Sequence, residues 1–203
     1  MIRLAIVGDI FITDALPAGW TQDAVGALLQ SADLRFGNLE APVTDRGRPA
    51  EKWINMRVLP EHVATLQALG FDLVTLANNH VMDYGLVGFE DTLAHLRSAG
   101  IATVGAGADL DAAWRPHIAT KNGLRVAFLA ATSTLGPNSA ATADAPGVAP
   151  IHIRESYAID PHASIEQPGS MPYVHTSPWQ DDLERAQEAV RAAKAASDFL
   201  IVA

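Results

Sequence analysis

The chain contains no cysteine, which removes disulfide frameworks, thiolate metal sites and cysteine nucleophiles together and leaves the redox compartment open. Basic residues are scarce. Fourteen Lys and Arg stand against 23 Asp and Glu, for a net charge of -9 and a pI near 5.1. General nucleic-acid binding draws its affinity from clustered cations and is excluded on that count; a protein this acidic needs a local cation to handle an anion. No stretch approaches the roughly 20 apolar residues of a membrane span, and no internal repeat is visible. Met1 to Val7 lacks a basic leader with a long apolar core and reads as a strand, which points to the cytoplasm. What is present is a globular composition: 203 residues, 49% hydrophobic and 18% charged, enough to bury the core of a single domain over 1–203.

Apolar β runs alternate with amphipathic helical stretches. Ile2 to Val7 is the first run and ends at Gly8-Asp9. Val25, Leu28 and Leu29 recur at helical spacing and predict a helix packed on a sheet. Asp33 to Phe36 is a short strand leading into Gly37-Asn38-Leu39-Glu40. Pro60 opens a helix that Gly70 closes, and Leu73 to Ala77 is an almost continuous apolar strand followed by Asn78-Asn79-His80 and Asp83. Leu86, Phe89, Leu93 and Leu96 mark a helix ending at Gly100. The pair Gly105 and Gly107 lacks the third glycine of a dinucleotide fingerprint and reads as a tight turn. Asn122-Gly123 between two β runs predicts a hairpin. These elements together give an α/β fold with a central mixed sheet and helices on both faces.

Residues 132–177 carry many prolines and little periodicity, so they read as an irregular insertion that lies over the mouth of a site or stays unpacked. Ser177-Pro178 predicts the N-cap and first position of the next helix. Phe199 to Ala203 predicts a buried strand.

Asp9, Asn38, Glu40, Asn79 and His80 all fall just past the carboxyl end of a predicted strand, where open α/β sheets keep their ligands, with Asp83 in support. Oxygen and imidazole donors of this kind suit a divalent metal such as Mn, Fe, Zn or Mg. Each residue alone has an ordinary use: Asp9 and Asn38 as turn caps, Glu40 as a surface carboxylate, His80 as a loop histidine. Their convergence favours a metal or phosphate site. The polar stretch from Asp45 to Arg57 carries Arg46, Arg48, Lys52 and Arg57, either as a solvated loop or as the missing source of cations.

In order and rough spacing, Gly8-Asp9, Gly37-Asn38-Leu39-Glu40-Ala41-Pro42, the block from Leu76 to Gly85, and Gly105-Ala106-Gly107 with Pro116 beyond resemble the CapA family of capsule and poly-gamma-glutamate biosynthesis proteins. That family is similar to a branch of the calcineurin-like metallophosphoesterases. The Ala-Asn-Asn-His-x-x-Asp-x-Gly block is the specific part. The resemblance implies that fold and a divalent-metal-dependent, phosphoesterase-like hydrolase site. It makes Asp9 the opening metal ligand, with Phe11 where a histidine usually stands. Asn38 and Glu40 then take the place of a bridging aspartate block, Asn79 puts its amide on the metal, and His80 becomes the catalytic acid. Further family motifs are expected beyond Ala203, so the chain reads as the N-terminal part of such a domain. An anionic substrate or a poly-gamma-glutamate-like polymer is the implied partner, and capsule-making relatives suggest a place outside the cytoplasm. The alternative is a non-catalytic accessory or polymer-binding component of capsule assembly.

Overall fold

A computed structural model describes residues 1–167 and 169–203. The element order begins β1 (Leu4–Ile10), α1 (Ala24–Gln30), β2 (Leu34–Leu39), α2 (Val63–Leu69), β3 (Leu73–Thr75), α3 (Gly85–Ser98) and β4 (Ala102–Val104). The central sheet has the order β1-β2-β3-β4, every pair parallel. Sequence order equals spatial order, so all four carboxyl ends open on one edge.

The remaining elements are β5 (Ala106–Gly107), α4 (Leu110–Ala113), β6 (His117–Lys121), β7 (Leu124–Leu129), β8 (Gly147–Val148), β9 (Ile153–Ala158), α5 (Pro161–Glu166), β10 (Tyr173–Pro178), α6 (Gln180–Ala196) and β11 (Phe199–Val202). β6 and β7 form the expected hairpin, with Lys121 opposite Leu124. Asn122 and Gly123 both take positive φ, 51° and 77°, as a two-residue hairpin turn demands. β11 then joins β7 in parallel, giving a second sheet of order β11-β7-β6.

The α/β class therefore stands, and the strands that make it mixed belong to this second sheet rather than to the central one. Leu34, Phe36, Leu73 and Val104 of the first sheet share a buried cluster with Val126 and Phe128 of the second. The rings of Phe36 and Phe128 meet at 5.1 Å between centroids. The opposite face of the first sheet is covered by α2 and α3, through Val63, Leu66, Phe89 and Leu96 packed around Leu39 and Val74. The outer face of the second sheet packs Leu129 and Leu200 against Ala113, Trp114, Ala186 and Val190. The molecule is layered helix, sheet, sheet, helix. Period-2 strands buried on both faces need two coverings, and a second sheet satisfies one as well as helices do.

Several expectations change. In α1, Asp23 caps the helix and Leu29 is buried, but Val25 and Leu28 stay exposed because the helix meets β1 along one narrow line around Ala5. Residues 132–177 are irregular only in part: 132–146 holds turns, bends and isolated bridges, whereas β8, β9, α5 and β10 follow. Ser139, Ala141, Val148 and Ala149 are buried, and β8 pairs with β5. β9 and β10 form an antiparallel hairpin that is exposed along its whole length. Pro161 starts a helix capped by Asp160, and Pro178 ends β10, so these prolines punctuate elements instead of preventing them. The cap of α6 is Trp179, not Ser177, because Ser177 and Pro178 pair with Arg154 and Ile153. Within residues 1–203, β11 is partly buried. It is an edge strand that turns Ile201 into the inter-sheet core and Leu200 toward α6, while Phe199 and Val202 remain 54% and 58% exposed. Among the described residues, no helix is long and apolar enough to cross a membrane.

Candidate active site at the carboxyl edge of the parallel sheet

Backbone register places the first two side chains. Ile6 pairs with Phe36, yet Asp9 pairs with Asn38, so β1 spends three residues where β2 spends two. That bulge re-aims the end of the strand and sets Asp9 opposite Asn38. Gly37 permits it: a Cβ there would stand 2.5 Å from the Val7 side chain and 2.7 Å from Ile10. Asn38 in turn is paired with Thr75 of β3, so the block that follows β3 arrives beside it.

Asn78 organises that block. Its side-chain oxygen accepts the backbone N–H groups of His80 (3.0 Å) and Val81 (2.9 Å). Its amino group donates to the carbonyl of Leu39 (2.8 Å) and to Oδ1 of Asn38 (2.9 Å). Main-chain partners on both sides leave this amide only one orientation. Asn38 is oriented in consequence: its oxygen faces Asn78, and its amino group donates to Asp9 Oδ1 at 2.8 Å and to Glu40 Oε2 at 2.5 Å. Asn38 thus ties two carboxylates together as a donor, with its carbonyl oxygen already engaged by Asn78.

Burial raises the Glu40 carboxyl above its ordinary range, and the neighbouring Asp9 charge raises it further; His80 and the Asn38 amide act in the opposite direction. Among the described residues neither Asp9 nor Glu40 has a Lys or Arg partner. Two adjoining carboxylates without a cation attract one. The donor set fits a hard or borderline divalent ion in kind, with Asp9, Glu40 and the Asn79 amide, whereas the oxygen of Asn38, the fourth expected ligand, faces the Asn78 amino group. Among the described residues, however, no group of three or more His, Cys, Asp or Glu side chains is gathered closely enough to hold a metal.

His80 sits on the other side of this pair. Its Nδ1 lies 2.7 Å from Asp83 Oδ2 and 3.2 Å from Lys52 Nζ, and because an ionised carboxylate only accepts, the shorter contact assigns the proton to Nδ1. Nε2 then faces Glu40, 3.8 Å from Oε1. Asp83 is almost completely buried and also accepts the Met56 N–H at 2.7 Å and an ion pair from Lys52. Lys52 further donates to the carbonyl of Asn79 at 2.9 Å. Asn79 itself makes no side-chain hydrogen bond among the described residues, leaving its amide open. The structure therefore brings Asp9, Asn38, Glu40 and His80 into one connected cluster, with Asp83 behind the imidazole and Asn79 alongside. Asn78 is the residue that sequence reasoning passed over. A doubled asparagine after a buried strand is the signal, because a turn there needs one side chain to mimic the backbone.

The loop from Asp45 to Arg57 divides its cations among three structural tasks. Lys52 pairs with Asp83, Arg57 lies over the Tyr84 ring at 4.9 Å, and Arg46 pairs with Asp91 of α3. Arg46 and the Thr44 hydroxyl hold the Asp91 carboxyl down at about 2, against an ordinary 3.8. The folded value is the lower one, so the interaction stabilises fully above about pH 4 and is lost as the pH falls from there toward about 2. Denaturant titrations of wild type and Asp91→Asn are expected to differ at neutral pH and to converge across that window. A gap that persists at the acid end would assign Asp91 a packing role only.

The bacterial capsule synthesis protein family PGA_cap matches residues 3–203. The chain is 32% identical over 160 residues to the PGA biosynthesis protein CapA of Bacillus subtilis (strain 168), covering 74% of this chain and 42% of that protein. It is 42% identical over 142 residues to a probable polyglutamine synthesis accessory protein of Mycobacterium tuberculosis (strain CDC 1551 / Oshkosh), covering 66% and 37%. Against the capsule biosynthesis protein CapA of Bacillus anthracis the identity is 30% over 157 residues, covering 72% and 38%. The chain spans about two fifths of the length of these curated relatives.

Proposed function

The chain belongs to the bacterial capsule synthesis protein family PGA_cap, and from that premise we propose that it serves poly-gamma-glutamate or capsule biosynthesis through a divalent-metal-dependent, phosphoesterase-like hydrolase site. The observation that carries this reading is the uncompensated pair Asp9 and Glu40, held by Asn38 and faced by His80. Asp9, Glu40 and Asn79 would hold the ion. Such an ion supplies Lewis-acid polarisation of a substrate oxygen.

The chain's own residues then divide the work. Asp83 fixes the imidazole through Nδ1, so that Nε2 is the atom that gives or takes the proton at the reacting group. Lys52 offsets the buried Asp83 charge. Asn38 keeps the two carboxylates together against their mutual repulsion. The relatives named as PGA and capsule biosynthesis proteins support the place in capsule assembly, and the one named a probable polyglutamine synthesis accessory protein supports the second reading, in which the same pocket binds the polymer without turning it over.

Metal content of the intact purified protein, followed by a phosphodiesterase screen with Mn added, separates the two. Bound divalent metal with turnover is the expected result; bound polyglutamate with no metal and no turnover would replace it with the accessory role.

A further inference from the structure

Asn78 is 6% exposed, and its side chain uses its full hydrogen-bonding capacity: two N–H groups donate and both lone pairs accept. Three of its four partners are main-chain groups whose roles are fixed. The N–H groups of His80 and Val81 only donate, and the Leu39 carbonyl only accepts. Turning the amide over would set donor against donor and acceptor against acceptor, and a buried mismatch of that kind is costly.

The fourth bond passes this decision on. Asn38 meets the Asn78 amino group with its oxygen, which sends its own amino group to Asp9 and Glu40. An asparagine between two carboxylates and a divalent ion has a second choice, with its oxygen on the ion. Here that choice is closed, because a flipped Asn38 would press its amino group against that of Asn78.

The closed choice has a consequence for an ion. In the hydrolase reading Asp9, Glu40 and Asn79 hold it, and a hard ion such as Mg or Mn fills about six positions with oxygen. An oxygen from Asn38 would take one more of them. Turned away, it leaves that position to water or substrate, and a catalytic ion needs one such position.

We propose that Asn78 is a positioning residue: by locking the Asn38 amide as a donor, it keeps the Asn38 oxygen off the ion and one coordination position open. This rests on the reading of Asp9 and Glu40 as ligands of a divalent ion.

Asn78→Asp is the direct test, because the new carboxylate still accepts from His80 and Val81 and loses only the two donations. Its second oxygen faces the Asn38 oxygen. An Asn38 amide that turns over then gains a bond to that carboxylate and, with an ion in place, a metal contact as well. Mn affinity of the intact protein, titrated by paramagnetic resonance, is expected to rise at least about tenfold, while turnover per bound ion falls. In an Asn38→Ala background most of the gain should vanish, since the added charge remains but no oxygen is left to turn. No gain, or an equal gain in both backgrounds, would overturn the proposal. A second measurement needs no Asn78 variant. Pulsed electron-nuclear double resonance of bound Mn, with isotope-labelled carbon in the asparagine side-chain carbonyls, is expected to show the same carbon couplings in wild type and Asn38→Ala; loss of one would make Asn38 a ligand. Bound Mn without turnover, with the Asn38-dependent gain present, removes the hydrolase reading alone. Turnover without that gain removes this inference alone, and a protein that binds no Mn removes both.

Discussion

Replacing Asp83 by Ala is expected to lower folding stability by about 3 kcal/mol, the low end of what breaking a buried ion pair costs. The carboxylate side chain is 1% exposed and receives Lys52, the Met56 N–H and the His80 ring together. Its removal strands an ammonium group that is itself only 21% exposed, and leaves a backbone donor without its acceptor. The low end applies because water reaches Lys52 in part. Asp83→Asn keeps the shape and should cost less. Adding Lys52→Met to Asp83→Ala should restore part of the loss, since the stranded charge is then gone. Urea unfolding of the four proteins measures all of this, and a loss below about 1 kcal/mol for Asp83→Ala would mean that the pair is solvated rather than buried.

Under the proposed hydrolase function, His80→Ala is expected to reduce turnover by about 100- to 10,000-fold, the usual contribution of a positioned acid or base. Metal content should change little, because the two carboxylates remain. Asp9→Ala should lower both turnover and metal content, since it removes an anionic donor and frees the Asn38 amide from half of its task. The discriminating comparison is metal per chain by mass spectrometry beside initial rates. Equal metal loss in the two variants would make the imidazole a ligand first and a proton carrier second. Unchanged rate in His80→Ala would move the reacting centre elsewhere.

Much of the scaffold is legible in the residue order because local rules decide it. The apolar runs at β1, β2 and β3, the Gly70 and Gly100 helix ends and the Asn122-Gly123 hairpin follow from periodicity and from φ demands that few residues satisfy. The resemblance to the capsule-synthesis family was legible for the same reason, since the block from Ala77 to Gly85 is contiguous. Pattern reading went astray where an element's neighbours decide its exposure. The run at Val25 and Leu28 is apolar, yet it lies where only one side meets the body. The arm β9–β10 carries too few apolar residues for its alternation to stand out.

The sequence by itself determined which chemical groups stand at the ends of the parallel strands, because strand, turn and helix signals there are local and a parallel sheet aims its carboxyl ends one way. Tertiary structure alone decided what those groups do to one another. The β1 bulge sets Asp9 against Asn38, main-chain hydrogen bonds turn Asn78 and so turn Asn38 into a donor, and Lys52 is spent on Asp83. The bonds from Asn78 to Leu39 and Asn38, and that from Asn38 to Asp9, join partners about 30 to 40 positions apart, and contacts between such distant residues have no imprint in local periodicity.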